Sequence, residues 1–352
     1  MQRMTQQASL MIRSDGIRHR PRTASVAARN ADGAAVNGAS HFGRIADTPV
    51  FICGHPRSGT TLLASLLDGH PQLSVFPEEL NFFHHIYRRR DRGRAVWSHS
   101  GFKIIAESPL YADIDRAELQ SRVALLLSQG PDERALLKGL IAIWHDLRRL
   151  GTGQERHWVE KTPKSERWAG LLDRWFGGRA IFLHILRDPR DNFVAYRRSH
   201  PRVGPLGFAN RWRYSAALGI RNAARLPNYH LLRYEDLVLE PVAVMGRVAG
   251  LIGILPDPVL YTPTKNGRSW GGNSSEAVAF SGISASQVGK HRTQLSRGEI
   301  SAIERLTGPY IAQFGYEGEA NAGCVGLLPL WTSVRLLWRD IRTSWMSCRR
   351  AD

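Results

Sequence analysis

Val50-Phe51-Ile52-Cys53-Gly54-His55-Pro56-Arg57-Ser58-Gly59-Thr60-Thr61-Leu62-Leu63 is the stretch that decides the fold. Its first four residues are an apolar run of strand length, and Leu62, Leu63, Leu66 and Leu67 recur at helical spacing. Between the two lies GxxxxG followed by two hydroxyl residues, the spacing of a phosphate-cradling P-loop in its required strand-to-helix context. Gly54 and Gly59 let backbone N–H groups converge on an anion, and a helix starting near Thr60 adds the positive end of its dipole. An ATP-hydrolysing loop carries a lysine directly after its second glycine. Thr60 stands there instead, and the cation comes earlier, as Arg57.

Working outward, Ile181-Phe-Leu-His-Ile-Leu186 and Tyr229-His-Leu-Leu-Arg-Tyr234 read as further strands, and Trp158-Val159 precedes a strand end expected at Lys161. Asp188 is placed to cap a helix whose first position is Pro189, with Asp191 near the positive dipole end. Amphipathic helices are expected between Ile114 and Leu150, and over Asn210 to Asn222, Pro241 to Ile252 and Arg297 to Phe314. Strands separated by helices imply an α/β protein of three layers, with a central, mostly parallel sheet flanked by helices on both faces in the P-loop nucleotide-kinase-like manner.

The 352 residues carry 48 Lys plus Arg against 31 Asp plus Glu, a formal net charge of +17, with 43% hydrophobic and 22% charged residues. Collagen, coiled coil and wholesale disorder are excluded. The length suits one α/β domain with tails, here 49–318. Residues 1–48 read as a disordered basic tail, because Asn30 to Ser40 cannot bury enough surface to order itself. Residues 319–352 form a basic C-terminal segment. Within it, Val325 to Trp345 alternates Leu and Trp with Arg335, Arg339 and Arg342, suited either to an anionic membrane surface or to packing on the domain or a partner. Cys53, Cys324 and Cys348 are too few and too scattered for a disulfide framework, and no apolar stretch reaches spanning length, so a soluble, cytoplasmic protein, at most peripheral to the inner face of a membrane, is expected.

Phe51 to Leu63 and Leu67-Asp-Gly-His-Pro71 resemble the 5′-phosphosulfate-binding loop and first helix of sulfotransferases that use 3′-phosphoadenosine 5′-phosphosulfate (PAPS), nearest to the tyrosylprotein and bacterial carbohydrate branches. Glu160-Lys-Thr-Pro163, Leu186-Arg-Asp-Pro-Arg-Asp191, Arg233-Tyr-Glu-Asp-Leu-Val238 and Val288-Gly-Lys-His-Arg292 follow in family order, so the resemblance runs from Pro49 to Gly315. It implies transfer of a sulfuryl group from PAPS to a hydroxyl or amine of a carbohydrate, a lipid-linked sugar or a protein tyrosine. Such an in-line transfer needs donors on the equatorial oxygens, a cation on the leaving phosphate and a base for the entering group.

The resemblance assigns Gly54, His55, Arg57, Ser58, Gly59, Thr60 and Thr61 to the 5′-phosphate and sulfonate, Arg187 to the 3′-phosphate, and Lys161 to the bridging oxygen. His55 is expected either to contact a substrate or to shape the loop. The branch's general base falls on Glu78 when residues are counted without gaps from Arg57, and on Glu79 when the acidic pair is aligned as a unit. The ungapped count is preferred. The family's serine eight positions beyond Arg187 is replaced by Ala195, so that either Ser199 substitutes one turn later or the donor loses a hydrogen bond. Lys290 and Arg292 are expected to fold over the nucleotide, although His291 stands where the family usually has an aromatic. Acceptor specificity is expected in the loops Phe82 to Ser108 and Ser199 to Gly207.

Two rivals follow from the same residues. A P-loop nucleotide or sugar kinase would want Mg²⁺ and the missing lysine; a basic nucleic-acid-binding protein would explain the charge but lacks a recognition motif. Thirteen histidines form no HExxH or Cys/His ligand spacing, and adjacent His84 and His85 cannot face one way on a helix, so no metal is expected.

Overall fold

A computed structural model describes residues 41–148, 152–272 and 282–318. Five strands, β1 (Pro49–Cys53), β2 (Leu73–Val75), β3 (His157–Lys161), β4 (Ile181–Leu186) and β5 (Tyr229–Arg233), form one sheet in the order β2-β3-β1-β4-β5. All four pairings are parallel, with Phe51 opposite both Glu160 and Phe182. A separate antiparallel hairpin joins β6 (Thr264–Lys265) to β7 (Arg268–Ser269).

The helices are α1 (His41–Ile45), α2 (Thr60–Leu67), α3 (Arg92–His99), α4 (Gly101–Glu107), α5 (Arg116–Ser128), α6 (Glu133–Leu147), α7 (Ala169–Trp175), α8 (Pro189–Ser199), α9 (Pro205–Ala223), α10 (Tyr234–Leu239), α11 (Pro241–Ile252), α12 (His291–Gln294) and α13 (Arg297–Gln313). None in the described residues is long and apolar enough to cross a membrane.

Alternation along β1 explains the layering. Phe51 and Cys53 enter a core with Phe182, Trp158, Phe76 and Trp144, whereas Val50 and Ile52 enter another with Leu63, Leu66, Leu183 and Ile185. Every residue of β1 and β4 is buried, so both sheet faces are covered and their apolar runs are unbroken. A third cluster, around Phe193, Phe208, Trp212 and Ile303, cements α8, α9 and α13 beyond the strand ends. The expected three-layer α/β architecture is the one observed.

Three expectations change. The tail expected to run to residue 48 gives way earlier to α1, because Phe42 and Ile45 bury against the first core; residues 1–40 and the C-terminal segment 319–352 lie outside the described residues. Phe82 to Ser108 is not loop: Phe82–Ile86 is a π-helical turn, and α3 and α4 follow, capped by the side chains of Asp91 and Ser100. Each is too short to show a periodic stripe, so capping rather than periodicity defines them. Finally, α9 begins at Pro205 instead of Asn210, since Pro205 occupies the first turn where its missing N–H costs nothing.

Candidate active site

The loop between β1 and α2 is shaped by backbone conformations that ordinary residues avoid. Gly54 has φ +137°, and a Cβ there would lie 2.4 Å from the Ile185 carbonyl oxygen. Gly59 has φ +105° at the N-terminus of α2, and a Cβ would stand 2.6 Å from the Tyr234 ring. Arg57, without glycine's freedom, is also left-handed at φ 70°, a local strain of the kind held only by surrounding structure. Gly54→Ala is therefore expected to lower unfolding free energy by about 2–4 kcal/mol, because backbone is the obstacle and cannot rotate away; chemical denaturation of wild type and variant checks this.

The segment after β3 clamps this loop. Gly54 N–H donates to Glu166 Oε2 (3.2 Å), and Lys164 N–H donates to the Gly54 carbonyl (3.0 Å). Gly54 N–H is thus committed to Glu166 rather than to an anion, contrary to expectation. The buried Ser58 also falls outside the cavity lining, whereas His55, Arg57, Gly59, Thr60 and Thr61 line it.

That cavity measures about 910 Å³ and reaches Arg187 and Ala195 as well as Glu79. Arg187 leaves the end of β4, donates to the Arg57 carbonyl (3.3 Å) and the Gln287 carbonyl (2.8 Å), and stacks on Tyr234 at 4.6 Å. Trp212 holds it from behind through a bond from Nε1 to the Arg187 carbonyl (3.0 Å). The buried Arg187 Nε has no partner among the described residues. Burial, then the charge of Arg187, lowers the affinity of Arg57 for its proton. Two guanidiniums held beside a helix N-terminus have the chemistry to receive phosphates.

The acidic pair divides between two environments. Glu78 is buried, accepts from Tyr111 Oη (2.7 Å) and pairs with Lys265 of the hairpin (2.5 Å). Glu79, whose side chain is 40% exposed, lines the cavity and accepts from Lys161 Nζ (2.8 Å). The ungapped count preferred Glu78, but of the pair it is Glu79 that lines the cavity, while Glu78 turns to Tyr111 and Lys265. Lys161 is itself buried and approaches the site through Glu79.

Glu160 and Thr162 hold that arrangement in place. Thr162 Oγ1 donates to Glu160, Leu80 N–H donates to Glu160 (3.3 Å), and Asn81 N–H donates to Thr162 Oγ1 (3.1 Å). Burial pushes the Glu160 carboxyl up to about 7.

Other expectations separate here. Ser199 is exposed, bonds the Tyr196 carbonyl (3.1 Å) and His200, and is absent from the lining, so it does not replace the hydroxyl missing at Ala195. Lys290 and Arg292 are also outside the lining. Asp191 accepts from Gly289 N–H (2.6 Å) and His291 N–H (2.8 Å), pinning this turn onto α8, and Arg292 turns to Glu317 (3.3 Å). Arg190 is buried between Asp188 (2.6 Å) and Glu304 (2.7 Å). His84 and His85, both in the π-helical turn, line the cavity.

His55 packs between Tyr196 and Phe208, with ring centroids 5.1 and 5.0 Å away. Burial lowers its pKa from 6.5 to about 3. The folded state therefore favours neutral imidazole, and His55's contribution to stability is complete above pH 6.5 and declines as pH falls toward 3. Melts of wild type and His55→Asn should accordingly converge on acidification, by up to about 3 kcal/mol between pH 6.5 and 4.

Sequence reasoning missed Lys164, Glu166 and Arg167, which directly follow the Glu160-Lys-Thr-Pro163 block, and gave no role to Tyr234, inside another quoted block. Asn81, Asn210, Arg211 and Tyr214 carried no motif and reach the cavity only through the fold.

Comparison with known proteins agrees with this geometry. Residues 49–257 match the family model described as "Sulfotransferase family". Protein-tyrosine sulfotransferase 2 of Gallus gallus is 27% identical over 295 residues, covering 77% of this chain and 70% of that one. Carbohydrate sulfotransferase 2 of Mus musculus is 34% identical over 91 residues, 26% of this chain, and the match spans 17% of that relative's length. The sulfotransferase domain of the Synechococcus PCC 7002 olefin synthase shares the fold at TM-score 0.50 and 21% identity, over 76% of this chain and 94% of that domain. With the loop, the strand-end arginine and the sheet order in place, the family match over more than half of its length shows that this chain belongs to the sulfotransferase family.

Proposed function

We propose that the chain transfers a sulfuryl group from PAPS to a hydroxyl of an acceptor, with Glu79 as general base. The reading is carried by one observation: Glu79, paired with the buried Lys161, lines the same cavity as Arg57 and Arg187. The residues fit a nucleotide with phosphate at both ends, since the guanidinium-bearing Arg57 and Arg187 line one cavity with Thr60 and Thr61 of the α2 N-terminus.

In this account Arg57 and the N-terminus of α2, with the Thr60 and Thr61 hydroxyls, hold the 5′-phosphosulfate end. Arg187 holds the 3′-phosphate. Glu79 takes the acceptor hydroxyl's proton as its oxygen bonds to sulfur and the sulfur–oxygen bond to the 5′-phosphate breaks, leaving adenosine 3′,5′-bisphosphate (PAP). Lys161 fixes the Glu79 carboxylate and supplies positive charge as the leaving phosphate gains negative charge. A kinase reading is disfavoured by Thr60, which occupies the place of the phosphate-bridging lysine. Incubation with ³⁵S-labelled PAPS and a hydroxylated acceptor panel should transfer label, with ATP unable to serve as donor. Phosphoryl transfer from ATP without sulfuryl transfer would reverse the choice.

A further inference from the structure

Three cations of the cavity are left unused by this mechanism: Lys164 and Arg167, just beyond β3, and Arg211 in α9. Among the described residues no carboxylate forms an ion pair with any of them. Arg167 lies over the Tyr214 ring at 4.9 Å, and Arg211 donates to Tyr196 Oη (3.1 Å). The neighbouring Glu166 does not neutralise them by pairing, because its two oxygens are committed to Gly54 N–H (3.2 Å) and Ser215 Oγ (2.6 Å).

These cations act on one another. Burial first, then Arg167 and Arg211, push the Lys164 ammonium below its ordinary range. The Glu79 carboxylate acts electrostatically on Lys164 and also on Arg57, and all three line the one cavity. Like charges gathered around one cavity repel, and an anion entering it relieves the repulsion. Two of the three are guanidiniums, whose planar fork matches a carboxylate. Asn81 and Asn210 line the same cavity; with Asn81 Nδ2 on the His99 carbonyl (3.4 Å) and Asn210 Oδ1 accepting from Arg213 (2.9 Å), the Asn81 amide oxygen can accept from, and the Asn210 amide nitrogen donate to, ring hydroxyls.

We propose that Lys164, Arg167 and Arg211 form the acceptor's anion subsite, and that the acceptor is a saccharide bearing a carboxylate near the hydroxyl that receives the sulfuryl group. This rests on the sulfotransferase reading, and the test separates the two. PAP-induced thermal stabilisation reports the donor site alone. Acceptor use is read as kcat/KM with PAPS for p-nitrophenyl β-D-glucuronide against p-nitrophenyl β-D-glucoside, alongside calorimetric binding of both glycosides to the PAP complex.

The wild type should favour the glucuronide by about tenfold or more, the scale of one charge-assisted contact. Arg167→Ala and Arg211→Ala should each shrink that ratio several-fold while the PAP shift is unchanged. Arg167 is exposed and, among the described residues, its side chain makes only the Tyr214 ring contact, so its replacement leaves the fold intact. Equal use of both glycosides, failure of the PAP complex to bind the glucuronide, failure of the enzyme with PAPS to sulfate it, or an unchanged ratio in both variants would overturn the inference with the donor reading intact. So would sulfation of an acidic tyrosyl peptide in place of the glucuronide. Loss of the PAP shift in the wild type would instead overturn the sulfotransferase reading itself.

Discussion

Glu79→Gln is expected to lower kcat by about 10²–10⁴-fold, the usual contribution of a positioned general base, with the affinity for PAP nearly unchanged. The amide keeps an oxygen for Lys161 and nearly the same volume, so the change removes proton acceptance and little else. Glu78→Gln is the matched control. Its side chain faces Tyr111 and Lys265, which tie the β6–β7 hairpin to the segment after β2. That variant should keep kcat within a few-fold and lose about 1–3 kcal/mol of stability, the cost of weakening a buried charged hydrogen-bonded pair. Single-turnover rates and denaturant melts on both proteins distinguish the two glutamates. The reverse pattern, a dead Glu78→Gln and an active Glu79→Gln, would return the base to the residue favoured by ungapped counting.

Arg187→Ala should weaken PAP binding by about 10- to 100-fold, because one or two charge-assisted bonds to phosphate disappear together. Arg187→Lys should rescue little. The native guanidinium spans the Arg57 and Gln287 carbonyls while stacking on Tyr234, and a single ammonium cannot span both carbonyls and stack with the same planar geometry. Calorimetric titration of PAP into the three proteins measures the difference. Ala195 makes the dependence on Arg187 steeper, since no hydroxyl at that position shares the phosphate.

The elements legible in sequence are those whose signal is local. β4 runs from Ile181 to Leu186 and α11 from Pro241 to Ile252 as read, because an apolar run and a proline at the first helical position need no distant partner. Asp188 caps α8 through Arg190 N–H (2.8 Å) for the same reason. The loop glycines were likewise visible, since a spacing of four intervening residues is itself the signal.

What stayed hidden depends on contacts remote in sequence. No feature of Pro77-Glu78-Glu79 says which carboxylate turns inward; Tyr111 and Lys265, far along the chain, decide it. Glu166 binds Gly54 across 112 positions, and Arg211 reaches the cavity because α9 packs beside the strand ends. Ser199 failed for a geometric reason, being at the exposed end of α8, where its hydroxyl folds back to the Tyr196 carbonyl.

The claim beneath all of this is that the bend around Arg57 holds the 5′-phosphate of an activated sulfate carrier. A crystal structure of the chain with PAP tests it most directly. The account predicts the 5′-phosphate against Arg57 and the N-terminus of α2, with the 3′-phosphate on Arg187. PAP bound away from this bend, with Arg57 and Arg187 untouched, would contradict it.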